Sequence, residues 1–150
     1  MAEIIPWADF NVRSEELVKE ICRFEPHIVA ASEYEPVVSF GNYLRSIITG
    51  SGLLQPLPVF ALTRYGEAGH VVVEVADVRG RRVALCRIYG TGPEFEDVSE
   101  ALRSRGAEVR EFYAYLHGEN SQEDTRFAAA RVNGPPTFPW QWMNGRKILL

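Results

Sequence analysis

Between Val59 and Tyr89 the apolar residues recur at a spacing of two, and this run constrains the fold more than any other stretch of the chain. Three β-branched segments, Val59 to Tyr65, His70 to Val78 and Arg82 to Tyr89, are separated by Gly66-Glu67-Ala68-Gly69 and by Arg79-Gly80. An X-Gly pair between valine-rich runs signals a hairpin, because glycine accepts the positive φ of a tight reversal. Two consecutive hairpins are therefore expected.

The flanking segments read as helices. From Ser14 to Phe24 a helix is predicted, with Ser14 as its cap, Glu15 and Glu16 at its positive end, and Leu17, Ile21 and Phe24 along one stripe. His27 to Ala31 is a short apolar run of strand type. Ser32 and Glu35 have capping-box spacing, and Val37, Phe40, Leu44 and Ile47 follow at helical intervals. After Tyr89, Pro93 suits the first position of a third helix over Glu94 to Arg105, and Gly106 ends it. Ala107 to Leu116 reads as a strand. The order strand, helix, strand implies a right-handed crossover, so Arg82–Tyr89 and Ala107–Leu116 should run parallel. Arg126 to Val132 suits either a helical turn or an edge strand.

These elements predict an α+β fold: a two-layer sandwich with a mixed, mostly antiparallel sheet of four or five strands and two or three helices on one face. One domain is expected over 1–132. Residues 133–150, rich in proline and aromatics, form an arm that should pack on the domain or on a neighbouring subunit. Side chains as large as Phe138, Trp140 and Trp142 rarely stay in water together.

Composition narrows the function classes. The net charge of −4 disfavours nucleic acid as a partner, since phosphate neutralisation needs clustered cations. Fourteen arginines against two lysines, Lys19 and Lys147, are read as a genomic bias. No segment reaches the length of about 20 apolar residues that spans a bilayer, and no secretory signal is expected from the opening residues. Cys22 and Cys86 sit on different elements without metal-type spacing, so a reduced, cytoplasmic setting is expected. The sequence contains no C-x-x-C, H-E-x-x-H, Walker A or G-x-S-x-G motif, and it indicates no particular cofactor.

Two places could carry function. In the expected second hairpin, alternation puts Ala84, Cys86 and Ile88 against the helices. His70, Glu74, Arg87 and Tyr89 then lie on the wet face, with Thr63 and Tyr65 beside them. That face, with Trp140 and Trp142 of the arm, would dock a protein partner. The second place is the crevice beyond the carboxyl ends of the parallel pair, where Gly90-Thr91-Gly92 and His117-Gly118-Glu119-Asn120 converge. His117 and Glu119 could serve there as a base and its orienting partner, with Tyr89 and Thr91 alongside. A phosphate is poorly suited to that crevice, because Glu94, Glu96 and Asp97 crowd the helix start and a lone G-x-G is weak.

The reading that follows first is a small acidic binding protein of inhibitor or immunity type, with a protein partner and self-association as a homo-oligomer as its expected associations. The alternative is a small metabolite-handling enzyme with its site around His117 and Glu119.

Overall fold

The computed structural model describes residues 3–32, 59–65, 70–72, 78–119, 125–139, 142–143 and 146–147. Helix α1 spans Trp7–Phe24. Its stripe of Phe10, Ser14, Leu17, Val18 and Ile21 is buried at three- and four-residue spacing, which is why the helix starts seven residues before Ser14. Ser14 is thus an interior residue and not a cap. Glu25 ends the helix in the left-handed region at φ 52°, its N–H donating to the Cys22 carbonyl at 3.1 Å.

The strands are β1 (Ile28–Ser32), β2 (Val59–Tyr65), β3 (His70–Val72), β4 (Arg82–Gly90), β5 (Glu108–His117) and β6 (Phe127–Val132). A 3-10 turn over Pro93–Phe95 leads into α2 (Glu96–Ser104). Short strands β7 (Trp142–Met143) and β8 (Arg146–Lys147) pair with each other. The helix expected from Ser32 to Ile47 lies outside the described residues.

The main sheet has the order β3-β2-β1-β4-β5-β6. Every neighbouring pair from β2 to β6 is parallel, and only the edge pair β2–β3 is antiparallel. This corrects the expected α+β sandwich: the protein is an α/β fold with a predominantly parallel sheet. The error lies in the second hairpin. Arg79-Gly80 does make a tight turn, with Gly80 at φ 71° and the Arg81 N–H on the Val78 carbonyl at 3.0 Å. Its Gly80 N–H, however, donates to the Gly106 carbonyl at 2.9 Å, so the turn joins the end of α2 and does not fold β3 onto β4. β3 pairs with β2, and β4 lies between β1 and β5.

The helices also lie on both faces. Phe10, Leu17, Val18 and Ile21 of α1 pack with Val29, Ala84, Cys86, Ile88, Phe112 and Ala114. On the other side, Val98 and Leu102 of α2 pack with Ile28, Ala30, Val83, Leu85 and Tyr113. Val83 to Cys86 are therefore buried without interruption, as expected of a strand covered twice.

Near the chain ends, Ile5 donates to the Thr137 carbonyl at 2.8 Å and Thr137 donates to the Glu3 carbonyl at 2.7 Å. Phe138 is buried beside Tyr115, with ring centroids 5.6 Å apart.

Candidate active site

Strand order reverses direction between β1 and β4, and ligands in such sheets bind beyond the carboxyl ends at that point. Register defines its borders. Ser32, the last residue of β1, stands level with Leu62, and Ala31 is level with Cys86. Both neighbours run on, β2 to Tyr65 and β4 to Gly90. Thr63–Tyr65 and Ile88–Gly90 thus flank the place where the chain leaves β1. On the other side Gly90 is level with Leu116, which brings Thr91 level with His117.

The loop after β4 is held tightly. The two oxygens of the Glu94 carboxylate accept from the Thr91 N–H, from the Thr91 hydroxyl at 2.9 Å and from the Gly92 N–H at 2.9 Å. Gly92 has φ 120°, a conformation that L side chains rarely adopt, and Pro93 fixes the next residue. Gly90 has no room for a side chain: a Cβ there would run into the Tyr113 ring and come 2.9 Å from Glu94 Oε2. Burial pushes the Glu94 carboxyl up, but hydrogen bonds from Thr91 and Gly92 outweigh it and hold the group below the usual carboxylate range.

Beneath the loop lies a buried polar chain. The Tyr113 hydroxyl donates to Glu111 Oε1 at 3.1 Å and stands 3.5 Å from the Gly92 carbonyl. Glu111 also faces Arg126, Nε to Oε1 3.6 Å. Burial raises the Glu111 carboxyl despite Arg126, the tyrosine hydrogen bond and Arg103. A hollow of about 620 Å³, lined in part by Ser99, Arg103, Glu111 and Arg126, opens beside this chain on the α2 face.

The predicted site residues separate into two groups. Tyr89, Thr91, His117 and Glu119 gather at the carboxyl ends of β4 and β5; His117 and Glu119 are exposed, and the Glu119 carbonyl accepts from Arg131 at 3.4 Å. Burial and the nearby Glu94 charge raise the Tyr89 hydroxyl. Among the described residues no group of three His, Cys, Asp or Glu is placed to hold a metal. Among the described residues, the β3–β4 pairing on which the docking face was built is not present. Tyr65 and His70 are paired on the β2–β3 edge, with β1 between that pair and Arg87. Arg87 is half-buried, its Nε donating to the Tyr89 carbonyl at 2.5 Å. Glu74 and Trp140 lie outside the described residues, and Trp142 begins β7. Sequence reasoning missed the Glu94 fold-back and the Glu111–Tyr113 pair. The acid three residues after Thr91, across a Gly-Pro step, was the available signal for the first.

No protein-family model matches the sequence, and no curated protein matches it. The fold resembles that of solved phosphoribosyltransferases, which are among 219 matching chains. A purine phosphoribosyltransferase from Pyrococcus horikoshii superposes with a TM-score of 0.66 at 16% identity, over 93% of this chain and 94% of the other. The xanthine-guanine-hypoxanthine phosphoribosyltransferase of Helicobacter pylori gives 0.68 at 12% identity, covering 93% of each chain. A hypoxanthine-guanine phosphoribosyltransferase from Bacillus anthracis gives 0.62 at 10% identity, covering 88% and 82%. These likenesses overturn the inhibitor or immunity-type reading, because the architecture is shared with enzymes.

Proposed function

We propose that this chain is a small-metabolite enzyme acting on a purine-type ligand held beyond the carboxyl ends of β1, β4 and β5. The observation that carries this reading is the switch point between β1 and β4, which lies in a fold shared along nearly its whole length with purine phosphoribosyltransferases. In this reading His117 exchanges a proton with the ligand, Glu119 orients it, and Tyr89 and Thr91 border the site. The reaction class carried by the neighbours' names is transfer of a phosphoribosyl group at a purine base.

A cytoplasmic setting belongs to the same proposal; among the described residues no helix is long and apolar enough to cross a membrane. So does a homo-oligomer in which the segment 133–150 acts as an arm, its start anchored through Thr137.

Thermal-shift titration with hypoxanthine, xanthine, guanine and inosine tests the ligand class, because a ligand that prefers the native state raises its melting temperature. A shift is expected with at least one. His117→Ala and Glu119→Ala should abolish it while changing stability by no more than about 0.5 kcal/mol, as befits exposed positions. Silence across the panel, with no base turnover by chromatography, removes the reading.

A further inference from the structure

We propose that the hollow on the α2 face is a second ligand site, separate from the crevice, which takes a small organic cation with an ammonium or guanidinium head on an aliphatic stem. Its acceptors are the carboxylates of Glu96, Glu100 and Glu111 and the hydroxyl of Ser99. At about 620 Å³ the hollow falls within the range of roughly 300–1,000 Å³ common for small-molecule sites. Glu111 is level with Leu85 in the middle of β4, whereas the crevice begins where Gly90 is level with Leu116.

Helical spacing builds one wall. Glu96, Ser99, Glu100 and Arg103 recur at three- and four-residue intervals on α2, so they share the face that lines the hollow. Ser99 is 1% exposed, and its hydroxyl has no hydrogen-bond partner. Buried hydroxyls are nearly always bonded, so one on this wall marks where a donor of the ligand would meet it. Glu96 and Glu100 are exposed, and among the described residues neither has a hydrogen-bond or ion-pair partner.

The facing strand sets the sign of the ligand's charge. Glu111 of β5 is buried, and burial raises its carboxyl although Arg126, Tyr113 and Arg103 all favour the ionised form. Those neighbours under-compensate its charge, and a further cation beside it is favourable. Both guanidinium groups are engaged already. Arg103 donates to the Val109 carbonyl at 3.2 Å, while Arg126 faces Glu111 and lies against Gly92. An anion entering here would meet three carboxylates. No group of three His, Cys, Asp or Glu among the described residues is placed to hold a metal, so the cation is one whose donors are spread over several atoms. A smaller hollow of about 270 Å³ adjoins the first across Arg103 and Glu111, and Phe24 and Val109 line it, which gives an aliphatic stem an apolar surface.

The test uses the full chain. Agmatine and putrescine are titrated by calorimetry, with succinate as an anion of similar length. Agmatine should saturate, and succinate should not bind. Glu111→Gln should weaken agmatine about tenfold or more, because a charge-assisted bond is lost, and Ser99→Ala about threefold or more. The exposed double variant Glu96→Gln/Glu100→Gln should weaken it about two- to fivefold, and it keeps the test open if Glu111→Gln fails to fold. His117→Ala, which alters only the crevice, should bind agmatine as wild type does. No saturation by either amine up to about 10 mM overturns the proposal. Undiminished affinity in every folded variant of the hollow overturns it too, as does tighter binding of succinate. Loss of agmatine binding in His117→Ala would place the cation in the crevice and has the same consequence.

Discussion

Glu94 couples the stability of the loop to pH, and the sign follows from the direction of its shift. Its folded-state value is depressed, so the stabilisation is present above the unfolded value of about 4.3 and is lost as pH falls through the lower folded value. Glu94→Gln removes that linkage. Wild type should therefore melt higher than the glutamine variant at pH 6, and the two curves should converge on acidification toward the folded value; a constant gap would refute the assignment. Part of this was legible from residue types. Acids crowding the start of a helix after Thr-Gly-Pro announce a negative loop. That one of them folds back onto the Thr91 and Gly92 amides depends on Gly92 reaching φ 120°, which a glycine at that position permits but does not impose. The burial of Glu111 was less legible still. Alternation on β5 places it on the same face as Tyr113, but only packing against α2 and Arg126 removes it from water.

At the scale of elements, β4 shows why the wet face failed. A strand with one solvated side should alternate, yet Val83, Ala84, Leu85 and Cys86 are all fully buried because α1 covers one face and α2 the other. Leu17 on α1 and Leu102 on α2 report on the two layers separately. Each replacement by alanine should cost about 2–5 kcal/mol in urea unfolding. Because the sheet separates them, the double variant should equal the sum within about 0.5 kcal/mol. Were both helices on one face, as the hairpin reading required, the two sites would couple. The helix and strand positions themselves were largely readable. α2 lies within Glu94–Arg105, β4 and β5 are parallel as their connection implies, and β6 takes the edge at Phe127–Val132. What the apolar period could not supply was the partner of each strand.

Across the whole molecule, the segment before α1 and the segment after β6 are stitched together where Ile5 donates to Thr137, Thr137 donates to Glu3 and Phe138 packs on Tyr115. Tyr115 in turn donates to Asp9 of α1 at 2.7 Å, so a segment at the far end of the sequence supports the first helix. Phe138→Ala should therefore destabilise the entire fold by about 3–5 kcal/mol, not loosen an appendage. Amide exchange should show protection falling in β5 and α1 together; loss confined to residues near 138 would contradict this. The sequence by itself determined the approximate positions of β1, β2, β4, α2 and β5, the tight reversal at Gly80, the crossover that makes β4 and β5 parallel, and the acidic character of the loop after β4. These follow from local periodicity, glycine conformations and charge, each set within a few residues. Strand order, the second covered face and the seating of Glu94 were decided only by tertiary structure. Each depends on which distant surfaces bury one another, and an X-Gly turn between valine runs serves a hairpin and a crossover equally well.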